Sequence, residues 1–182
     1  MKILFSGIGG RIGKTMHAAL SKSGAAVMVG GVDPFANPAE FDCPVFKSFD
    51  EVNVAADVII DFSVPATLNA LLAYALKTKT NVVISTTGHT PEQLKLLSDA
   101  AAEIAVFKAS NMSLGVNLLI NLAKDAAKFL GSDFEIEIIE QHHNKKLDSP
   151  SGTALTLAEA INGVLDNRLQ YVYGRHNPAE RR

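Results

Sequence analysis

The 182-residue sequence predicts an α/β fold, with a doubly wound parallel sheet first and a second, smaller α+β domain after it. Strand and helix signals alternate through the first half, as expected for parallel strands joined by crossover helices. Val58–Asp61 is a continuous apolar run, which is typical of a strand covered on both faces. Phe134–Gln141 instead alternates apolar with polar residues, which predicts a strand with one wetter face in the second domain.

Local patterns define the individual elements. Thr90, Pro91 and Gln93 form a capping box with proline at the first helical position, and Gly131 ends a long helix. The predicted strands are 3–6, 27–33, 58–61, 81–85, 104–108 and 134–141. The predicted helices are 12–20, 66–76, 91–102, 114–130 and 153–165. We place the domain boundary near residues 111–113, which divides the chain into residues 1–111 and 112–182.

Composition excludes several classes of function. The formal net charge of -2 shows no basic excess for nucleic acid. The sequence has no apolar run near the roughly 20 residues that span a bilayer, and its start does not resemble a signal peptide. Cys43 is the single cysteine, which fits a reducing compartment. We therefore expect a cytoplasmic protein that binds neither nucleic acid nor membrane.

A glycine-rich loop joins the first strand to the first helix. Glycine lets a backbone approach a pyrophosphate, and the helix start offers N–H donors to that anion. Asp33 ends the second strand about twenty residues later, where a carboxylate accepts hydrogen bonds from a ribose. The pattern predicts a Rossmann-like dinucleotide site, with a purely structural turn as the alternative. Its residues are Gly7, Ile8, Gly9, Gly10, Arg11, Ile12, Gly13 and Asp33.

Asp33 also bears on the choice of cofactor. A carboxylate favours a free 2′-hydroxyl and repels a 2′-phosphate. Pro34 follows it, so no arginine is available there to hold that phosphate. We expect NADH to serve at least as well as NADPH. Arg11 could contact the adenine or a phosphate, or could simply be an exposed residue of the first helical turn.

The second chemical cluster is the loop that begins at His142 and ends at the helix start 151–153. Two histidines and two lysines lie beside a Ser-Gly-Thr helix start, which predicts a cationic, N–H-rich pocket for a small carboxylate. Adjacent histidines point to opposite faces of a strand and the loop lacks zinc spacings, so we expect no metal. A nucleophilic serine is disfavoured because neither nearby serine lies in a nucleophile elbow. A solvated basic loop, with Ser151 as an ordinary cap, remains the alternative.

The stretch EQHHNKKLDSPSGTAL at 140–155 resembles the substrate-loop signature of the dihydrodipicolinate reductase family. GIGGRIG at 7–13, DFS at 61–63, STTG at 85–88 and ASNMSLGVN at 109–117 support the resemblance in family order. It implies reduction of the cyclic imine formed from 4-hydroxy-tetrahydrodipicolinate, a small dicarboxylate, by NADH or NADPH. The product would be tetrahydrodipicolinate, in lysine and diaminopimelate biosynthesis.

The resemblance also assigns roles to residues. His142 would be the proton donor or acceptor, and Lys146 a second proton donor that also meets a carboxylate. His143 would bind substrate, and Gly152 and Thr153 would hold a carboxylate through backbone N–H groups, with Ser151 beside them. Asp61 ends a strand at the cofactor edge, or alternatively caps a helix. The further residues expected at the cofactor are Ser63, Ser85, Thr86, Thr87, Ala109, Ser110, Asn111 and Met112.

In this family the second domain usually continues well beyond the residues that correspond to 174–182 of this chain. The resemblance therefore implies a C-terminally truncated chain with a partial second domain, and a homotetramer only where that domain is complete. The strand at 134–141 would then have unpaired edges. Two other functions stay open: a module that binds NAD(P)H without turnover, and a related reductase of another small carboxylate.

Overall fold

The computed structural model describes residues 1–144, 146 and 149–174. Lys145, Leu147 and Asp148 of the predicted basic loop, and the chain after Gly174, lie outside the described residues. The chain forms two compact units, Met1–Ala109 and a second unit that begins at Ser110. Among the described residues, no helix combines the length and apolarity needed to cross a membrane.

A six-stranded parallel sheet forms the centre of the first unit. Its order is β3-β2-β1-β4-β5-β6, so the strand order reverses between β1 and β4. Ligands bind at such a reversal in doubly wound folds, outside the carboxyl ends of the strands. The strands are β1 Lys2–Ser6, β2 Val27–Val32, β3 Val45–Phe46, β4 Val58–Asp61, β5 Asn81–Ile84 and β6 Val106–Lys108.

Helices cover both faces of this sheet. On one face α1 (Arg11–Ser23) packs through Met16 and Leu20. On the other face lie α2 (Leu68–Thr78) and α3 (Pro91–Ala100). Their residues buried against the strands are Leu68, Leu71, Leu72, Ala75, Leu97 and Ala100. Burial on both faces explains why the central strands are continuous apolar runs. The predicted doubly wound parallel sheet is confirmed.

Some element limits differ from the sequence-based predictions. Strand β3 was not predicted, because a two-residue strand has too short a pattern to detect. The helix predicted from Ala66 begins at Leu68, after a 3-10 turn at Pro65–Thr67. The last strand of the sheet begins at Val106 rather than at Ile104, whose side chain is buried in the core.

The second unit contains α4 (Leu114–Leu130) and α5 (Gly152–Val164), which pack together around Ala127 and Ile161. The predicted strand at Phe134–Gln141 is wrong, since this segment forms no strand in the described structure. A strand requires hydrogen bonds to a neighbouring strand, and the described part of this unit provides none.

The segment before α5 is held to that helix by Glu140. One oxygen of its carboxylate accepts the Ser151 N–H at 2.8 Å, and the other accepts the Ser151 hydroxyl at 2.5 Å. Ser151 is buried and caps α5 by accepting the Ala154 N–H. The two Ser151 donors, followed by the charges of His142 and Lys146, hold the pKa of Glu140 below its usual value. The carboxylate therefore joins residue 140 to the helix in its charged form.

We expect Gly13→Ala to destabilise the first unit by about 1–3 kcal/mol, the usual cost of overpacking. A Cβ at residue 13 would lie 2.4 Å from the Ile8 carbonyl oxygen and 2.6 Å from that of Gly7, and neither backbone oxygen can rotate away. Gly163→Ala in α5 is the matched control, since a Cβ there meets nothing within 4 Å. Chemical denaturation of the variants measures both effects, and equal stability of Gly13→Ala and wild type would contradict the packing.

We expect the contribution of Glu140 to stability to depend on pH. Because its folded-state pKa lies below the usual 4.5, the contribution is complete above that pH and is lost as pH falls through the folded value. Thermal unfolding of wild type and Glu140→Gln should differ near neutral pH and converge in acid. Glu135→Gln, which changes an exposed carboxylate, is the control. A constant difference across the range would contradict the ionised pairing with Ser151.

Candidate functional site

The glycine loop places the start of α1 directly above the end of β1. Gly7 has a positive φ of 83°, and a Cβ there would lie 2.7 Å from the Phe62 carbonyl oxygen. The turn closes through the Gly10 N–H, which donates to the Gly7 carbonyl at 3.1 Å. Within the described structure no side chain caps α1 at Gly10. The N–H groups of its first turn therefore point outward, where an anion can accept them.

Asp33 lies against this loop. Its Oδ2 accepts the Gly9 N–H at 3.0 Å, and its Oδ1 accepts the Phe35 N–H at 2.9 Å. A carboxylate has about four lone-pair positions, so it can still accept ribose hydroxyls. Arg11, at the first position of α1, is exposed beside the same loop. The structure thus brings together the glycines and the acid that the sequence separates by about twenty residues.

The carboxyl ends of β4 and β5 are joined by the buried Asp61. Its Oδ1 accepts the Ser63 hydroxyl at 2.5 Å, and its Oδ2 accepts the Thr86 hydroxyl at 2.6 Å. Asp61 therefore bridges two loops rather than capping α2, which has no side-chain cap in the described structure. Ser63 and Thr86 lie where the prediction puts them, at the sheet edge, while Thr87 is exposed. Their contact with cofactor stays a prediction.

His89 is a residue at this edge that the sequence analysis did not identify. Both its ring nitrogens are buried and have no hydrogen-bond partner among the described residues. Burial, followed by the charge of Lys108, lowers its pKa from the ordinary value, which favours the neutral imidazole. The only signal in the sequence is its position four residues after Ser85, in the loop that follows β5.

In the second unit, Ser110 and Asn111, which precede α4, contact the start of α5. The Asn111 side chain donates to the Thr153 hydroxyl at 3.0 Å, and the hydroxyls of Ser110 and Thr156 are 2.8 Å apart. Two of the residues predicted at the cofactor are thus tied to the helix predicted to hold a carboxylate. The first-turn N–H groups of Gly152 and Thr153 have no carbonyl partner four residues back, as at any helix start.

The basic loop adjoins the same helix start through Glu140. His142 Nδ1 lies 3.7 Å from Glu140 Oε2, and the imidazole is partly exposed. Lys146 is half-buried, and its backbone N–H donates to the His143 carbonyl at 3.2 Å. Ser151 has both of its donors engaged by Glu140, so its predicted contact with substrate stays a prediction.

The first unit fits a dinucleotide on its own geometry. The loop can turn this tightly only with glycine, because a Cβ at Gly7 would lie 2.7 Å from the Phe62 carbonyl oxygen and one at Gly9 would lie 2.8 Å from the Ala36 Cβ. The helix start above that cradle supplies donors without side chains, and Asp33 supplies the matching acceptor. Donors for a diphosphate and an acceptor for a ribose are the two groups such a ligand requires.

Comparisons with known proteins identify the family to which the chain belongs. The family model described as dihydrodipicolinate reductase, N-terminus, matches residues 1–112, and the C-terminus model matches residues 115–181. A 4-hydroxy-tetrahydrodipicolinate reductase of Caldanaerobacter subterraneus subsp. tengcongensis is 44% identical over 182 residues, which is 100% of this chain and 71% of that protein. One of Clostridium tetani is 39% identical over 181 residues, with coverage of 100% and 71%.

A solved structure is similar along nearly the whole chain. The dipicolinate-bound dihydrodipicolinate reductase from Paenisporosarcina sp. TG-14 superposes with a TM-score of 0.71 at 28% identity, covering 99% of this chain and 71% of that one. Reductases of this name are NAD(P)H-dependent oxidoreductases. The two family models together cover both units, and the chain therefore belongs to the dihydrodipicolinate reductase family.

Proposed function

We propose that this chain reduces the cyclic imine derived from 4-hydroxy-tetrahydrodipicolinate to tetrahydrodipicolinate, with NADH or NADPH. The observation that carries the proposal is the arrangement around Glu140, which joins His142 to the start of α5 within one compact unit. A proton donor and a set of carboxylate-binding N–H groups are thereby held close together. The dipicolinate bound to the Paenisporosarcina reductase supports a small dicarboxylate as the ligand.

The first unit would bind the cofactor. Its diphosphate would accept N–H groups at the start of α1, where the positive end of the helix dipole adds attraction. Asp33 would accept the adenosine ribose hydroxyls, and residues 85–87 and 109–112 would line the nicotinamide. The bound nicotinamide supplies the hydride. We assign residues 1–111 to this task and residues 112–182 to substrate.

The second unit would bind the substrate and supply a proton. The N–H groups of Gly152 and Thr153 would hold one carboxylate, with Lys146 and His143 contributing positive charge and donors. Hydride addition to the electron-poor ring leaves an electron pair that must take up a proton, and His142 would donate it. The substrate gains two electrons and one proton in addition to the hydrogen nucleus of the hydride. An imidazole suits the donor role because both of its ring nitrogens carry N–H donors when it is protonated.

The names of the relatives support a role for this reaction in lysine and diaminopimelate biosynthesis. We propose a cytoplasmic location and no nucleic-acid or membrane partner, in line with the low net charge of -2. The family implies a homotetramer for chains whose second domain is complete. The two alternatives are a module that binds cofactor without turnover and a reductase of another small carboxylate. Measurements of turnover and of cofactor binding distinguish them.

His142→Gln and Lys146→Ala should each lower kcat by about 10²–10⁴-fold, the usual contribution of a positioned proton donor. Oxidation of NADH by freshly generated substrate, followed by its absorbance, measures the rate. Lys128→Ala removes an exposed lysine in the last turn of α4 and should leave the rate unchanged.

Thermal unfolding with and without NADH measures cofactor binding separately, because a cofactor that binds only the folded state raises the midpoint temperature of unfolding. Unchanged kcat in both variants would contradict the proposed roles. If the wild-type chain gains stability from NADH but turns over no substrate, the reductase proposal is wrong and the binding module is correct. Turnover of a different carboxylate in its place would identify the related reductase.

Asp33→Asn should shift the cofactor preference towards NADPH by about five- to thirtyfold, which is about 1–2 kcal/mol. The substitution removes a negative charge that would face the 2′-phosphate but keeps an oxygen for the Gly9 N–H. The ratio of kcat/KM for the two cofactors is the measurement, with Asp50→Asn, at an exposed residue of the 3-10 turn Phe49–Glu51, as control. An unchanged ratio in Asp33→Asn would show that this carboxylate does not contact the ribose.

A further inference from the structure

His17, Asp42 and Cys43 form a second cluster of reactive side chains in the first unit. One ligand atom from each lies within 4.8 Å of the other two. His17 Nε2 and Asp42 Oδ1 are already 2.5 Å apart. The cluster lies outside the glycine loop, and the residues assigned above to cofactor and substrate do not include it. Because 25 residues separate the histidine from the aspartate, a search for short ligand spacings does not find it.

We propose that His17, Asp42 and Cys43 form a binding site for Zn²⁺. An imidazole nitrogen, a carboxylate oxygen and a thiolate are the three donor types that zinc takes in proteins. Zinc bonds of about 2.0–2.3 Å in a tetrahedron separate neighbouring ligand atoms by about 3.3–3.7 Å. The present separations therefore need changes of only about 1 Å to surround one ion. Three protein ligands leave the fourth position to water.

The packing around the cluster holds its ligands in place. The His17 imidazole is mostly buried and packs against the edge of Phe41, with ring centroids 5.3 Å apart. Lys14, one turn before His17 on α1, forms an ion pair with Glu40 at 2.5 Å. The chain that carries Asp42 and Cys43 is thus fixed to α1 from two sides. Preorganised ligands lower the entropic cost of binding an ion.

Solvent can reach the cluster through Asp42. Its side chain is 73% exposed, whereas that of His17 is only 15% exposed. An ion can therefore enter beside the carboxylate and reach the imidazole and the thiol, whose ligand atoms lie within 4.8 Å of it. Bound there, it would connect α1 to the segment before β3. Since a thiolate is a soft ligand, the site should select Zn²⁺ over Mg²⁺, which prefers oxygen ligands.

Alkylation of Cys43 reports on this site alone, because the chain has no other cysteine. Protein stripped with EDTA is treated with iodoacetamide, with or without ZnCl₂, and the modified fraction is followed by mass spectrometry. At a free Zn²⁺ concentration about 100 times Kd, the alkylation rate should fall about 100-fold, since only ion-free protein reacts. Burial and the neighbouring Asp42 raise the pKa of the thiol, so both reactions are compared at one pH. MgCl₂ should give no protection.

His17→Gln and Asp42→Asn should each weaken this protection at least about tenfold, because each removes a ligand. Asp50→Asn, an exposed aspartate elsewhere in the unit, should leave it unchanged. As a second measurement, CoCl₂ should produce a thiolate charge-transfer band that Cys43→Ser abolishes. Alkylation that Zn²⁺ does not slow, or protection that persists in His17→Gln with a wild-type circular dichroism spectrum, would overturn the proposal.

Discussion

The close approach of α1 to the end of β1 is the constraint on which the first unit depends. A Cβ on residue 13 would lie only 2.6 Å from the carbonyl oxygen of Gly7 and 2.4 Å from that of Ile8. Only a residue without a Cβ lets the helix begin there, with its N–H groups facing outward above the sheet. The carboxylate of Asp33 then fastens the loop through the Gly9 N–H. The same contacts that hold the fold thus position the residues to which we assign a diphosphate and a ribose.

In the second unit the charged carboxylate of Glu140 holds the segment before α5 to the start of that helix. It accepts hydrogen bonds from the N–H and the hydroxyl of Ser151, and its Oε2 lies 3.7 Å from His142 Nδ1. A helix start attracts anions, and here the protein supplies one at the N-cap residue. The next two N–H groups, of Gly152 and Thr153, belong to the same positive helix end. The Glu140 carboxylate therefore fixes residue 140 beside the start of α5, and it leaves the N–H groups of Gly152 and Thr153 to a carboxylate ligand.

Much of the first unit could be predicted from the sequence, because burial on both faces and a glycine loop leave strong local patterns. Strand β3 left too short a pattern, and the strand predicted at 134–141 failed because alternation shows which face is wet but cannot supply a neighbouring strand. Within the site, the motifs located the loops but not their internal contacts. The bonds of Asp61 to Ser63 and Thr86, and the proximity of His17 to Asp42, depend on chain segments that only the fold brings together.

The reaction that we propose for this chain is the transfer of a hydride from the nicotinamide to a dicarboxylate ring. The most direct measurement is isotope transfer, with NADH deuterated at the reactive carbon and the product analysed by mass spectrometry. With the cofactor labelled on the transferred face, hydride transfer predicts one deuterium in each molecule of tetrahydrodipicolinate formed. If reduced product forms without deuterium from cofactor labelled on either face, or if no reduced product forms while NADH remains bound, the proposed hydride transfer is wrong.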